Sequence, residues 1–343
     1  MGFFDSLFHS GKKAESHVLI DVDGSTVGGA VVVYKEGEPP IIAYSRRMQV
    51  PVRENEQADH AMLRTLDMLG ATLVSEGAPA LARITGTGRA DDIRLLIGAP
   101  WQKSVVRVDH YEKAEPFEFT PDLMRESTKA DGTRAPGKLI IEEHMLGVYL
   151  NGYRTVEPLG KKATRVRLII MASLIDERAA SGITAHVRSM FHSDHIRVEP
   201  ASSMRLEALH AAFRHQKDAL VVDATGPEPI VGLVRDGIPT AIESVPHATA
   251  HEGWKAPMRA VLGSISKKYP LPLTVFFIPG SKDSDAIQKS FSTELVRSLW
   301  LMHEPPKIIV IQPGHFTPHI RLGAGVEPDL KFFLASLYHQ PRA

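Results

Sequence analysis

The chain contains no cysteine among its 343 residues. Disulfide bonds, thiolate nucleophiles and cysteine-ligated metal sites are therefore excluded. An excess of charge of one sign is also lacking, because Lys and Arg together number 40, Asp and Glu together number 40, and the formal net charge is zero. Proteins that coat nucleic acid usually carry a basic excess, so this balance argues against a nucleic-acid partner.

Long apolar runs are missing as well. No stretch approaches the ~20 apolar residues that a transmembrane helix needs, and the first residues lack the apolar core of a signal peptide. Hydrophobic residues make up 43% and charged residues 23% of the chain, which is the composition of an ordinary globular protein. The length suits two domains with separate cores. We expect a cytoplasmic protein.

The amino-terminal tail, residues 1–15, is the one segment that suggests a membrane. Four apolar side chains would share one face of a short helix there: Phe3, Phe4, Leu7 and Phe8. Lys12 and Lys13 follow this face. One interpretation is a weak foot at a membrane surface or on a partner. The other is a tail that packs on its own domain or stays mobile.

One pattern occurs twice along the chain: an apolar strand that ends in aspartate, a turn, and two further strands. The first copy has the apolar residues 18–20, then Asp21 and a turn at 23–25. The second has the apolar residues 219–222, then Asp223 and a turn at 225–227. Such self-similarity indicates a duplicated structural unit.

The remaining segments alternate between helical and strand patterns. Helical spacing is found at 55–76, 254–268, 283–301 and 329–338, and short strands are predicted at 94–97, 105–108, 274–278 and 308–311. This alternation predicts α/β sheets covered by helices.

The repeated aspartate and turn suggest phosphate chemistry. Glycine and small hydroxyl residues let backbone N–H groups approach phosphate oxygens, and an aspartate can hold Mg²⁺ through water. Asp21 and Asp223 are the candidate metal ligands. Two such hairpins facing each other across a cleft would form a phosphate clamp, although both aspartates could equally be plain turn residues that cap a hairpin.

Several segments resemble the motifs of actin-like ATPases of the PilM and FtsA type. Residues 20–27, Ile-Asp-Val-Asp-Gly-Ser-Thr-Val, resemble the first phosphate motif, and residues 223–226 stand where the second would fall. Residues 277–281, Phe-Ile-Pro-Gly-Ser, resemble the adenosine motif, and residues 327–337 resemble the final helix near the nucleotide.

The resemblance implies an α/β, actin-like fold with two RNase H-like lobes, a small inserted α+β subdomain and a reduced second lobe. After the tail, the first lobe would take residues 16–97 and 177–216, the inserted subdomain 98–176, and the second lobe 217–343. ATP and Mg²⁺ are the implied cofactors. The residues implied to bind them are Asp21, Asp23, Gly24, Ser25, Thr26, Asp223, Thr225, Gly226, Gly280 and Ser281.

The motifs depart from the family pattern at several positions. Asp23 stands where the family has glycine, and Gly28 replaces a phosphate-facing lysine. In the second motif Thr225, Pro227 and Glu228 replace a glycine and hydroxyl residues. Residues 244–272 are too few for the family's outermost subdomain, whose side chains grip ribose and adenine. We therefore expect ATP binding to be weak or lost.

The implied function is that of a scaffold, leaning away from an enzyme. It would sit at the cytoplasmic face of the inner membrane and bind the cytoplasmic tail of an inner-membrane protein of a type IV pilus or related assembly. Two alternatives remain. One is an active actin-fold ATPase or phosphotransferase that uses Asp21 or Asp223. The other is an FtsA-like, filament-forming division protein that self-associates through the insert.

A separate group, His192, Asp194 and His195, invites a metal-site interpretation. Its spacing does not match a helix-borne histidine pair. We predict a surface turn there.

Overall fold

A computed structural model describes residues 14–129, 136–246, 253–291, 293–300 and 305–340. The tail residues from Phe3 to Phe8 lie outside these ranges. Within the ranges, no helix is long and apolar enough to cross a bilayer.

The first sheet has six strands. They are β1 (Glu15–Val22), β2 (Thr26–Tyr34), β3 (Ile41–Gln49), β4 (Asp92–Ile97), β9 (Ile196–Pro200) and β15 (Arg321–Leu322), in the order β15-β3-β2-β1-β4-β9. β1 pairs antiparallel with β2 and parallel with β4. Both strands of the β1–β2 hairpin are buried almost throughout, which explains their nearly continuous apolar sequence.

The second sheet repeats this arrangement. Its strands are β10 (Ala219–Asp223), β11 (Ile230–Arg235), β12 (Ile238–Ser244), β13 (Thr274–Ile278) and β14 (Lys307–Val310), in the order β12-β11-β10-β13-β14. β10 is antiparallel to β11 and parallel to β13. The order matches β3-β2-β1-β4-β9, so the duplication predicted from the sequence is present in the topology.

A four-stranded antiparallel sheet lies between β4 and β9 in the chain. It contains β5 (Gln102–Glu118), β6 (Lys138–Leu150), β7 (Tyr153–Arg154) and β8 (Lys162–Asp176), in the order β5-β8-β6-β7, with α3 (Pro121–Lys129) after β5. Its core includes Phe119, Val166 and Leu168. The strand predicted at 105–108 is much longer than expected. Its continuation to Glu118 is polar and half-exposed, so it lacks the apolar pattern from which the strand was predicted.

Helices cover the outer face of each large sheet. On the first sheet they are α1 (Ala58–Thr72), a π-helical segment (Leu73–Gly77), α2 (Ala78–Thr85) and α4 (Glu177–Phe191). On the second they are α6 (Lys255–Ser266), α7 (Ser284–Ser290) and α8 (Glu294–Arg297). The continuous helix predicted at 283–301 is wrong. Thr293 has an extended backbone and separates α7 from α8.

Two buried helices, α5 (Ala201–Ala212) and α9 (Leu330–Tyr338), lie between the large sheets. One continuous core joins Leu19 of β1, Leu209 of α5, Phe332 of α9 and Phe276 of β13. Near the carboxy terminus, β15 pairs in parallel with β3 and so joins the first sheet. This shared core holds the aspartate ends of β1 and β10 close to each other.

Candidate functional site

Asp21 and Asp223 stand at equivalent places in the two sheets. Asp21 is opposite Gly28 near the end of β1, and Asp223 is opposite Ile230 at the end of β10. Their exposed fractions are 1% and 6%. Burial of two carboxylates is costly unless cations or hydrogen-bond donors accompany them, so their partners decide what the site can bind.

Arg205 of α5 joins the two aspartates. Its Nε lies 2.6 Å from Oδ2 of Asp223, and its Nη1 lies 3.6 Å from Oδ1 of Asp21. Arg205 is only 4% exposed. A protein cation therefore bridges the two residues that the sequence predicted as metal ligands.

Lys331 of α9 is a second buried cation, next to the two aspartates of the first hairpin. Its Nζ donates to Oδ2 of Asp23 and lies 3.4 Å from Oδ2 of Asp21. Lys331 is 7% exposed. The first turn of α9 thus inserts a positive charge next to the predicted phosphate motif.

Arg47 of β3 links Asp21 to the start of α9. Its Nη1 donates to Oδ2 of Asp21 over 2.7 Å, and its Nε donates to Oδ2 of Asp329 over 2.7 Å. Asp329 also caps α9 by accepting from the backbone N–H groups of Lys331 and Phe332. We call the following set the cleft network: Asp21, Asp23, Arg47, Arg205, Asp223, Asp329 and Lys331.

The cations of the cleft network keep Asp21 and Asp23 ionised. Burial alone would raise the pKa of Asp21, but Lys331, Arg47 and Arg205 outweigh burial and hold that pKa below its usual range. Burial would likewise raise the pKa of Asp23, and Lys331 outweighs it so that the pKa is lowered. Burial lowers the pKa of Arg205, but Asp223 and Asp21 raise it overall. The network is a set of mutually stabilised charges.

Several backbone donors of the predicted phosphate and adenosine motifs have internal acceptors. The N–H groups of Ser25 and Thr26 donate to Oδ1 of Asp23 over 2.7 and 2.8 Å. Thr225 donates its N–H to Oδ1 of Asp223 over 3.0 Å. The N–H of Gly280 donates to Oγ of Ser284, and that of Ser281 to the carbonyl of Ala224. Each aspartate thus takes the place that a phosphate oxygen would need.

The turns of the two hairpins also lie close together. A Cβ added to Gly24 would be 2.9 Å from Cδ of Pro100 and 3.2 Å from Cγ of Pro227. A Cβ added to Gly280 would be 3.2 Å from Cα of Thr225. Gly226, in contrast, has nothing within 4 Å of such a position. The predicted site residues are gathered at one place, and the two turns meet across it.

These observations test whether a magnesium nucleotide fits the cleft. The cleft network contains three cations and four anions, counted from its members. Its cations already pair with all four aspartates, and Asp23 and Asp223 already accept from backbone N–H groups of the two predicted phosphate motifs. The residues as arranged therefore do not fit a magnesium nucleotide.

Sequence reasoning missed the basic members of this site and Asp329. Lys331 and Asp23 are 308 residues apart, so no local motif could join them. Arg205 had a detectable signal, because it is the one basic residue in residues 201–209, where every other residue except Glu207 is apolar or small. A cation in so apolar a segment indicates a buried anionic partner.

The histidine group lies elsewhere. His192 ends α4 in a left-handed conformation with φ 48°. Asp194 and His195 are exposed in the turn that follows, as predicted. Among the described residues, no three His, Asp or Glu side chains are placed to hold a metal ion.

Comparison with known structures decides the fold. In the PilM–PilN type IV pilus biogenesis complex, a chain matches this one with a TM-score of 0.54 at 10% identity, covering 94% of this chain and 97% of that chain. This chain has the actin-like ATPase fold. The fold class and the resemblance that the motifs indicated are thereby confirmed.

Two other solved structures match with lower TM-scores. A protein of unknown function with an actin-like ATPase fold, from Bacteroides thetaiotaomicron, matches with a TM-score of 0.49 at 6% identity, covering 96% of this chain and 97% of its own. The ethanolamine utilization protein EutJ from Carboxydothermus hydrogenoformans matches with a TM-score of 0.37 at 12% identity, covering 94% of this chain and 89% of its own. No family model matches the sequence, and no curated protein matches it.

Proposed function

We propose that this actin-like chain is a PilM-like scaffold that works without nucleotide. It binds the cytoplasmic tail of an inner-membrane assembly protein and sits at the cytoplasmic face of that membrane. The observation that carries the proposal is the cleft network, in which Arg205 and Lys331 supply the charges that Mg²⁺ would otherwise supply. An actin-like fold whose cleft is filled by its own paired charges retains its shape and surfaces but has no free place for phosphate.

The partner class rests on the match to the PilM–PilN complex, which extends over nearly all of both chains. In that structure PilM is in complex with PilN, in type IV pilus biogenesis. A shared fold at 10% identity does not transfer the partner itself. We therefore propose only the class of partner, the cytoplasmic tail of an inner-membrane protein.

The test uses the full chain and synthetic peptides that carry the cytoplasmic tails of the host's single-span inner-membrane proteins. Binding is measured by fluorescence anisotropy with and without Mg-ATP, and scrambled peptides serve as controls. The proposal predicts that one tail binds saturably, with the same Kd in both conditions. Failure of every tail to bind, or binding that requires ATP, would overturn it.

Self-association through the insert is a second candidate function. Three apolar side chains near the β6–β7 turn are well exposed: Tyr153 at 79%, Val156 at 89% and Leu159 at 57%. Apolar groups grouped on one exposed loop often mark a protein contact. This surface would suit contact with a second copy.

Sedimentation velocity tests that candidate. If the chain forms filaments through this loop, larger species should grow with concentration and disappear in the double variant Tyr153→Ser/Val156→Ser. The matched control is Val52→Ser/Met68→Ser, which alters residues 53% and 57% exposed on the first lobe. A monomer at all concentrations, or equal loss in the control, rules the loop out.

A further inference from the structure

An apolar groove lies in the first lobe, at the opposite end of β1 from the cleft network. Its volume is about 780 Å³, within the range of about 300–1,000 Å³ for ligand-binding pockets. Its walls come from the start of β1, the π-helical segment, α2, the start of β4 and the turn after α4. Asp21 is seven residues from Ala14, so roughly 20 Å of strand separates the groove from the cleft.

The floor and walls of this groove are mainly apolar. Leu73, Leu81 and Ile93 are nearly fully buried and belong to the core, whereas Val74 on the rim is 52% exposed. Well-packed interiors contain few voids larger than a water molecule. An apolar groove of this size is therefore suited to an apolar chain segment.

Ala14, the first described residue, itself lines the groove. The residues before it in sequence include the four apolar side chains Phe3, Phe4, Leu7 and Phe8. Five residues, 9–13, connect Phe8 to Ala14 and can span up to roughly 17 Å when extended. A tethered segment has an effective concentration in the millimolar range, which favours a local site over a free partner.

We propose that residues 1–13 of this chain are the occupant of the groove, with their Phe and Leu side chains against its apolar walls. Eight helical residues would be about 12 Å long. The basic residues Lys12 and Lys13 then lie at the mouth. The inference stands apart from the proposed function, because none of its residues belongs to the cleft network.

The absence of cysteine makes the test direct. Ser6→Cys gives the full chain a single thiol for a nitroxide label. The label should broaden the methyl NMR signals of the groove residues Leu81, Ile84 and Met190, and should leave those of Leu262 and Ile265 in α6 unchanged. Adding Phe4→Ser and Phe8→Ser to the labelled chain should restore the groove signals.

A matched pair of groove variants provides the control. Val74→Glu, at a residue that lines the groove, should weaken the broadening, whereas Val52→Glu, at a residue of nearly equal exposure away from it, should not. Groove signals of full intensity in the labelled chain would overturn the proposal. Equal broadening after the Phe4 and Phe8 changes would overturn it as well. In either case, sedimentation with phosphatidylglycerol vesicles would show whether the segment binds lipid instead.

Discussion

Arg205 donates from Nε to Oδ2 of Asp223 over 2.6 Å, and both side chains are almost completely buried. The same guanidinium reaches Asp21 of the other sheet, 3.6 Å from Nη1. A single residue thus links the two copies of the repeated hairpin. The ion pair lies where the sequence predicted a phosphate clamp.

Removing the arginine should destabilise the protein strongly. Arg205→Ala leaves Asp223 without its buried cation, and breaking such a pair costs about 3–5 kcal/mol. The control is Arg235→Ala, which removes the half-exposed pair of Arg235 with Asp218 and should cost at most about 1 kcal/mol. Urea unfolding monitored by circular dichroism gives both values. Equal losses of unfolding free energy in the two variants would show that the Arg205–Asp223 pair contributes no more than an exposed ion pair.

The double variant Arg205→Met/Asp223→Asn tests whether Arg205 stabilises the protein through its charge or through its packing. It removes both charges while Asn keeps an acceptor for Thr225. Because no buried charge is left alone, it should lose less stability than Arg205→Ala. A larger loss in the double variant would mean that the arginine acts through packing rather than charge.

Removing the charge of Lys331 should lower the free energy of unfolding most near neutral pH. The pKa values of Asp21 and Asp23 are lowered in the folded protein. The stability they contribute is therefore present above about pH 4 and is lost as the pH falls further. Lys331→Met removes their main cation and raises both folded pKa values. The gap in unfolding free energy between wild type and variant should be wide at pH 7 and shrink below about pH 4. A gap independent of pH would contradict this electrostatic explanation.

His17 should make the protein sensitive to mild acid. It is buried, its Nε2 lies 2.8 Å from Oε1 of Glu15, and its ring is near Tyr34 and His339. Burial lowers the pKa of His17, and Arg94 and His339 lower it further against the opposing effect of Glu15. The unfolded chain therefore binds the extra proton first as the pH falls. Stability should decline below about pH 6.5, by at most about 1.4 kcal/mol per pH unit.

The His17→Phe variant checks that source of the pH dependence. It fills a similar volume and cannot titrate. Urea midpoints measured between about pH 7.5 and 5.5 should fall less steeply for the variant than for wild type. If both proteins lose stability in parallel, another group causes the decline.

Contact between the hairpin turns can be tested with two glycines. Gly24→Ala places a methyl group 2.9 Å from Pro100 and 3.2 Å from Pro227, and such overpacking costs about 1–3 kcal/mol. Gly226→Ala meets nothing within 4 Å; it should be neutral or stabilising by up to about 1 kcal/mol. Similar effects of the two substitutions on the thermal midpoint would mean that the turns do not meet.

Local patterns predicted the central strands of the two large sheets well because those strands are short apolar runs bounded by turns. Residues 18–20 and 219–222 are examples, and their aspartate ends marked the site. The partners of these aspartates could not be predicted in the same way. Arg47 and Asp329 are 282 residues apart and meet only because α9 packs between the sheets. The break at Thr293 was missed because helical spacing continues across it.

Isothermal titration calorimetry with Mg-ATP tests most directly the central claim that the protein's own charges fill the cleft between the two large sheets. The wild-type chain should give no saturable heat up to about 1 mM nucleotide, which sets a limit of about −4 kcal/mol on the binding free energy. Saturable binding of Mg-ATP by the wild-type chain, abolished by Asp21→Asn, would contradict the claim. It would show that the cleft binds nucleotide.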